Sequence, residues 1–350
     1  MAKPNKSAPF LHGGETTRLM QGDMLVALLP AVIIAVMQAG LRALFFSALS
    51  AFAAWAAESV WLLFVRRRPA GVAPLNTGLL VALVCPVSAP WWLPVAGSIA
   101  AVWLIRLPLG GLSRPLFHPA AFIWLLMLVI FPAHMTRFPA VSPDNILPVL
   151  GLPESFQQSA SLSELLRLGS RPPYGLSELL VGNLPGGMGT TSLFVIAACA
   201  VYLIYRRAIG WQTVAGMTGI CVLLAMLVDR SHAGAGWSAL YEVSASAFFF
   251  AAVYIAADPA ASPRLPLARF LYGVLCGGLA MIFRYGGMGD AGVPAAILIA
   301  QIASRPFDRL ILYMRQGEKR DFYKLHRLLL IRKMQRNSLR EENSSDEKDK

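Results

Sequence analysis

Charged residues are scarce in this chain. Only 14% of its 350 residues are Asp, Glu, Lys or Arg, whereas 56% are hydrophobic. Apolar runs recur from residue 24 to residue 312, and many approach the roughly 20 residues that a helix needs to cross a bilayer core of about 30 Å. This composition argues against a soluble domain and predicts an all-α polytopic membrane protein.

Cysteine is also rare. The four cysteines lie in or beside apolar runs, and no two of them have Cys-x-x-Cys spacing. We therefore expect no zinc or iron-sulfur centre built by this chain alone. Each is expected to be a small buried hydrophobic residue. They are Cys85, Cys199, Cys221 and Cys276.

Motifs for enzymatic catalysis by this chain alone are absent as well. No Ser-His-Asp set, phosphate loop or nucleic-acid motif stands out. His118 and His134 fall at opposite ends of one apolar run, 16 residues apart, so they cannot clamp one haem together. We predict no catalytic residue and no bound metal.

Basic residues outnumber acidic ones, and the formal net charge is +12. They collect at the ends of apolar runs and after Arg315, as the positive-inside rule expects of cytoplasmic segments. We therefore predict the lipid bilayer, and no nucleic acid, as a partner. The first 23 residues lack a short apolar core with a cleavage site and are interpreted as a retained cytoplasmic arm. In the tail, LHRLLLIRKM predicts an amphipathic helix in solvent or on the membrane surface; a partner-docking helix is the alternative.

The apolar runs form two groups of five. They cover residues 24–39, 42–65, 75–87, 91–107, 117–132, 190–205, 209–228, 238–257, 267–284 and 291–312. The charge bias then predicts that both termini are cytoplasmic. The regions are an arm (1–23), a first membrane repeat (24–132), an outer loop region (133–189), a second membrane repeat (190–314) and a basic tail (315–350).

The outer loop region is longer than a simple connection requires. It is rich in Pro, Ser, Gly and Leu, and SLSELLRL within it predicts a short helix that begins at a serine cap. We expect this region to carry function.

Two stretches of the chain resemble each other. Each has a short apolar run that ends at a proline, a second run that ends at an arginine, a glycine pair and then Pro-Ala-Ala. The matching positions are Pro86 and Pro259, Arg106 and Arg284, Gly110–Gly111 and Gly286–Gly287, and Pro119 and Pro294. Because five runs separate the halves, the copies are predicted to insert with opposite polarity. Inverted repeats with interrupted helices build sites near the bilayer midplane, and backbone freed at the breaks should line a cavity.

Ordered motifs resemble one membrane-protein family. They are SAPFLHGGETTRLM, TGLLVALVCPVSAPWW, GGLSRPLFHPAAF, LPGGMGTTS, ADPAASP and FRYGGMGDAGVPAAILIAQ, spread over roughly residues 7–315. The chain is similar to the RnfD/NqrB family, the large membrane subunits of the Rnf and sodium-pumping Nqr complexes.

This resemblance implies ten helices in two inverted halves and a flavin in an electron path across the bacterial inner membrane. It implies FMN esterified to the threonine of a Ser-x-Ala-Thr sequence in the outer loop, with riboflavin as a further flavin. It also implies coupling to sodium or proton movement and partner subunits of an Rnf-like complex.

The chain departs from the family pattern at several positions. The segment Gln158–Ser161 stands where Ser-x-Ala-Thr is expected, so a serine replaces the threonine. In addition, Ser113 replaces a glycine, His118 an asparagine and Thr190 an acidic residue.

Five residues are candidates for binding the flavin, and each has a structural alternative. Ser161 is the candidate attachment residue, or else it caps the following helix. Thr190 and Thr191 follow a Gly-rich turn that would favour a phosphate, or else form an ordinary helix entry. Arg106 and Arg284 occupy like places in the repeats and would steady an anionic group, or else reach towards the interface.

Four residues are candidates for an ion pathway. A lone carboxylate in hydrocarbon costs about 2.5 kcal/mol or more, so Glu58 should face the bundle interior. Its role is an ion or proton relay, or a structural ion pair. Asn76 and Thr77 open one short helix and Asp258 closes the other, so the repeat predicts that they meet at one break, where they would bind an ion or a flavin ring. Capping is the alternative for all three.

The predicted function is that of an integral membrane, flavin-binding subunit of an Rnf-like complex. It would pass electrons across the membrane, coupled to Na+ or H+ translocation, and would not act alone, because the chain has no nicotinamide fold and no cysteine cluster. The alternative is a transporter or structural membrane core that keeps the scaffold without a covalent flavin.

Overall fold

The fold was obtained as a computed structural model, which describes residues 17–65, 71–108, 117–139, 148–149, 158–304 and 306–314. Several predictions concern residues outside these ranges. They are the arm before residue 17, Gly110, Gly111, Ser113 and the basic tail.

The first half of the chain is helical. Its helices are α1 (Thr17–Ala39), α2 (Leu41–Val65), α3 (Ala73–Val84), α4 (Trp92–Ala100), α5 (Pro119–Ile130) and the single turn α6 (Pro132–Met135). A π-helical segment, Ala101–Arg106, continues α4. Proline opens α5, where its missing N–H has no partner to lose. The helix α1 begins at Thr17, seven residues before the predicted start of the first apolar run.

The outer loop region contains short elements. Strand β1 (Phe138–Pro139) pairs antiparallel with β2 (Gln158–Ser159). Helices α7 (Leu162–Arg167) and α8 (Leu176–Val181) follow. Their buried leucines pack on Tyr241 and Ala245 of the membrane bundle. The pairing and this packing hold the residues around Ser161 against the bundle.

The second half contains α9 (Leu193–Tyr205), α10 (Trp211–Leu227), α11 (Ala235–Ser244), α12 (Phe248–Ala251) and α13 (Pro266–Tyr285). A π-helical segment, Ala252–Ala256, continues α12. After the 3-10 turn Gly289–Ala291, α14 covers residues 292–304, and helix resumes at 306–314. Glycines let α10 and α13 approach closely, since a Cβ on Gly273 would collide with the Thr213 carbonyl oxygen.

The polytopic helical architecture is confirmed. Within the described residues, 4 helices are long and apolar enough to cross a membrane, and further apolar helices are shorter. Leu29, Ile33 and Met37 repeat every fourth residue along α1 and are 50%, 58% and 77% exposed. Such an apolar outer stripe fits contact with lipid. The arrangement as ten spans in two inverted repeats stays a prediction.

Two short helices form the centre of the bundle. Residues 76–89, from α3 onward, are buried without interruption, and so are residues 250–257, from α12 onward. Helices that are apolar all round belong in a protein core. In α3, a Cβ on Gly78 would lie 2.5 Å from the Ser50 carbonyl oxygen of α2. Both helices therefore reach only part of the way across, and their ends lie inside the protein.

The predicted single span over residues 238–257 is wrong in one respect. The structure breaks it at Ser246 and Ala247, which have φ of 51° and 53°. The carbonyl groups freed at this break find donors in Arg284. Its Nη1 donates to the Glu242 carbonyl at 2.7 Å, and its Nη2 donates to the Ala245 carbonyl. The break was not visible in the sequence because its partner lies about forty residues further along the chain.

We predict that Arg284→Met lowers the free energy of unfolding by about 3–5 kcal/mol, the usual cost of removing one partner of a buried ion pair. Arg284 lies 3.1 Å from Glu242, and both side chains are almost fully buried. Thermal unfolding of the purified chain in detergent measures the change.

Arg206→Met is the matched control. Arg206 pairs with Asp23 at the same 3.1 Å, but its side chain is 47% exposed. Exposed ion pairs contribute little, so this variant should unfold close to wild type. Equal losses in the two variants would contradict the proposed role of Arg284.

Candidate functional site

A first pocket lies where α3 begins and the segment after α12 ends. Its volume is about 700 Å³, including space open to solvent. The residues predicted to meet at this break do so: Asn76, Thr77, Asp258 and Arg106 all line it. Arg106 ends one π-helical segment, and Asp258 follows the other. Such segments are frequent at functional sites.

Asn76, Thr77 and Arg106 form a polar wall. Arg106 Nη1 donates to Thr77 Oγ1 at 3.0 Å, and Arg106 Nε lies 3.1 Å from Glu58 Oε2. Asn76 Nδ2 donates to both oxygens of Gln21 at 2.8 Å. The Asn76 Oδ1 atom is buried and has no hydrogen-bond partner among the described residues. That orphaned oxygen is available to a ligand or an ion.

Glu58 faces the interior, as predicted from the cost of a carboxylate in lipid. It is 4% exposed and pairs with Arg106. The structure therefore contains the ion pair that was the structural alternative. An ion pair beside a polar pocket is also compatible with a relay, so the relay stays a prediction.

Asp258 has a partner that was not predicted. His118 Nε2 lies 3.4 Å from Asp258 Oδ2. Asp258 Oδ1 also accepts from the Ala260 amide at 3.1 Å, as the capping alternative expects. His118 precedes α5 in the first half and Asp258 follows α12 in the second, so this contact joins the two halves.

A second pocket lies where α3 ends and α12 begins. Its volume is about 500 Å³, including space open to solvent. Trp124, Leu128, Phe138, Leu162 and Leu184 supply its apolar wall, and Ser161, Thr190, Thr191, Ser246 and Asp290 supply polar groups. From Asn76 to Val84, α3 rises about 12 Å at 1.5 Å per residue. The two pockets therefore lie at opposite ends of one buried helix.

Ser161 caps a helix and belongs to a hydroxyl chain. Its Oγ accepts from the Glu164 amide at 3.2 Å, so the predicted serine cap of α7 is confirmed. Ser161 Oγ lies 2.9 Å from Ser163 Oγ, which donates to Asp290 Oδ1 at 2.5 Å. Asp290 and Ser163 were missed by the sequence interpretation, since nothing in the sequence places α14 beside the outer loop region.

The Gly-rich turn before α9 packs on the end of α3. The Met188 amide donates to the Cys85 carbonyl at 3.0 Å, and the Gly189 amide donates to the Leu83 carbonyl at 3.2 Å. Thr190 Oγ1 donates to the Gly187 carbonyl at 3.2 Å. These amides complete a broken helix and are thereby committed, which supports the helix-entry alternative. Phosphate binding by Thr190 and Thr191 (Thr191 donates to Gln38 Oε1 at 3.2 Å) stays a prediction.

Arg284 does not line either pocket. It is 2% exposed and is held by the carbonyl groups of the α11–α12 break and by Glu242. Arg230 Nη1 lies 3.6 Å from the other oxygen of Glu242. Direct contact between Arg284 and a flavin is therefore not supported by this geometry, and its side chain does not reach towards an interface.

The comparisons with known proteins identify the family. The model described as "NQR2, RnfD, RnfE family" matches residues 5–316. This chain belongs to that family. The family resemblance of its ordered motifs is thereby confirmed.

Relatives cover nearly the same length. The D subunit of the ion-translocating oxidoreductase complex of Ectopseudomonas mendocina (strain ymp) is 28% identical over 327 residues, covering 88% of this chain and 94% of the relative. A protein of the same name from Pseudomonas aeruginosa (strain UCBPP-PA14) is 29% identical over 338 residues, with coverages of 88% and 94%. The D subunit of the Na(+)-translocating ferredoxin:NAD(+) oxidoreductase complex of Acetobacterium woodii is 27% identical over 310 residues, with coverages of 87% and 92%.

We predict that Gly187→Ala lowers the free energy of unfolding by about 1–3 kcal/mol, the usual cost of overpacking. A Cβ at this position would lie 2.9 Å from the carbonyl oxygens of Leu83 and Val84. Chemical unfolding in detergent measures the loss. Gly236→Ala is the control, because a Cβ there would meet nothing within 4 Å. An unchanged Gly187 variant would show that the turn does not need its close approach to α3.

Proposed function

We propose that this chain is the D subunit of an ion-translocating electron-transport complex in a bacterial inner membrane, with both termini cytoplasmic. The observation that carries the proposal is the family match over residues 5–316, together with relatives of the same length that bear this name. The protein works with partners that handle the soluble electron donor, because its own sequence has neither a nicotinamide fold nor a cysteine cluster.

The proposal includes ten spans in two inverted repeats. Two similar arginine clusters support it. Arg106 ends the fourth predicted span, contacts Thr77 at the start of α3 and pairs with Glu58. Arg284 ends the ninth predicted span, contacts Ala245 just before α12 and pairs with Glu242. Each half thus ties its interrupted helix to a carboxylate-bearing helix in the same manner.

The second pocket is the proposed flavin site. A flavin has a planar ring with polar edges, which matches an apolar wall containing Trp124 and Phe138 beside hydroxyl groups. Ser246 Oγ is buried without a hydrogen-bond partner among the described residues, so it is available to a polar ring edge. No basic side chain lines this pocket within the described part of the chain. A flavin phosphate would therefore be held by an ester bond to Ser161 and not by charge.

When bound, flavin supplies one- and two-electron transfer. The chain's own residues would position it. Ser161 would anchor the phosphate, Thr190 and Thr191 would face the polar edge, and the leucines of α7 and of the loop after α8 would exclude water. Asp290 holds Ser163, and through it Ser161, in place.

For the attachment, we predict that the tryptic peptide 138–167 gains the mass of one FMN less one water when the chain is made with a flavin transferase. Ser161→Ala should abolish the adduct, and Ser161→Thr should retain it, because threonine also offers a hydroxyl. Mass spectrometry and in-gel fluorescence measure it. Ser170→Ala, whose hydroxyl bonds only the nearby Leu165 carbonyl, is the control. An unmodified wild-type peptide would remove Ser161 as the anchor.

The first pocket is the proposed ion pathway, formed by Glu58, Asn76, Thr77 and Asp258. We predict that Glu58→Gln lowers ion uptake per electron transferred about tenfold, which corresponds to losing about 1.4 kcal/mol of one charge interaction. Uptake is measured in vesicles that contain the whole complex. Asp23→Asn is the control, since Asp23 pairs with the exposed Arg206. Coupling that survives in the Gln variant would end the relay interpretation.

A transporter or structural core without covalent flavin is the second candidate. The observation that favours it is the engagement of the Ser161 hydroxyl as the cap of α7 and as a partner of Ser163. Visible absorbance of the purified chain separates the candidates. Flavin bands support the first, whereas a colourless preparation from cells that make the cofactor supports the second.

A further inference from the structure

His118 is held in a fixed position at the edge of the first pocket. It is 5% exposed, and its backbone amide donates to Gln301 Oε1 of α14 at 2.9 Å. It occupies the residue before α5, yet its side chain makes no capping hydrogen bond. The imidazole is directed instead at Asp258, with Nε2 3.4 Å from Oδ2. Capping therefore does not explain this side chain.

The other ring nitrogen is the informative one. His118 Nδ1 is buried and has no hydrogen-bond partner among the described residues. A carboxylate beside Nε2 favours the tautomer that carries its proton on Nε2. Nδ1 then holds a free lone pair in a side chain that lines the pocket. A buried polar atom without a partner is unfavourable, and binding a proton that is shared with water or a ligand removes the cost.

The charges around the pocket do not balance when His118 is neutral. Two carboxylates, Glu58 and Asp258, face one guanidinium, Arg106, within the described residues. Arg106 lies 3.1 Å from Glu58 and also feels the charge of Asp258. One added positive charge would make the group neutral, and a low-dielectric site strongly favours neutrality.

Neighbouring elements supply no competing cation in the described part of the chain. From α3 the pocket receives the uncharged Asn76 and Thr77, and from α14 the uncharged Gln301. From α13, Tyr272 lies close enough to feel Asp258. At the rim, Asp23 is paired with Arg206. The imidazole is therefore the group that can supply the missing charge.

We propose that His118 and Asp258 form a proton-binding site, and that the proton is the ion this chain takes up from the first pocket. One proton from water binds His118 Nδ1, no covalent bond to carbon changes, and the imidazolium is balanced by Asp258. Because the pair joins the two halves, its charge state would strengthen or weaken that contact. The transport step rests on the proposed function, whereas proton binding does not.

The test is a histidine titration of the full chain in detergent micelles. Five histidines are labelled with nitrogen-15 and carbon-13, and His118→Asn assigns the signal. We expect wild-type His118 to show the Nε2–H tautomer at high pH and to gain a proton between roughly pH 5 and 8. Asp258→Asn should lower its midpoint by roughly 1–3 pH units, because the attracting charge is lost. The Ala260 amide can still bond the Asn oxygen, so this variant should fold.

His134 is the internal control. It lies in α6 at the far end of α5, beside the Trp92 and Phe131 rings. Its midpoint should not change in the Asp258→Asn variant. The proposal is overturned if His118 stays neutral across this range, if it shows the Nδ1–H tautomer, or if Asp258→Asn leaves its midpoint unchanged. Sodium chloride that moves the His118 signal at constant pH, against choline chloride, would overturn it in favour of a sodium site.

Vesicles with the whole complex test the transport step separately. Electron transfer should acidify the wild-type vesicle lumen, and His118→Asn should reduce this by about tenfold while His134→Asn does not. Acidification that persists in His118→Asn overturns the transport part. Wild-type vesicles without any electron-driven ion movement would contradict the proposed function, and the titration would still decide whether the proton site exists.

Discussion

The fold depends on satisfying the backbone groups of two short helices that end inside the membrane bundle. Water is absent from the hydrocarbon core, so every freed carbonyl needs a partner in the protein. At the end of α3 the partners are the Met188 and Gly189 amides and the guanidinium of Arg42, which donates to the Val87 and Ala89 carbonyls. At the α11–α12 break the partner is Arg284.

These partners explain the placement of the two pockets. A helix that stops short of the bilayer surface leaves space beyond its end, and α3 has such an end in each pocket. Polar side chains around that space are tolerated because they lie against protein and not against lipid. One pocket offers an apolar and aromatic wall with hydroxyl groups, which suits a flavin ring. The other offers carboxylates, an imidazole and a guanidinium, which suits a small ion. A protein that couples electron transfer to ion movement needs both.

Several features of the site followed from the sequence because their causes are local or rest on the repeat. Ser161 caps α7, as a serine before a short amphipathic helix should. Glu58 is buried and paired, since an unpaired carboxylate in lipid is costly. Asn76, Thr77 and Asp258 share a pocket, as the repeat predicted. The features that were missed depend on distant contacts. The contact between His118 and Asp258 and that between Ser163 and Asp290 join residues more than a hundred positions apart.

The sequence alone determined that the chain is a helical membrane protein and which family it resembles, because hydrophobic length and ordered motifs are properties of consecutive residues. It also indicated where most helices begin and end. The break at Ser246 and Ala247 was decided only by the tertiary structure, because left-handed backbone at two such residues persists only where a distant arginine receives the freed carbonyl groups. The same holds for the partners of each buried charge, since these depend on which helices pack together.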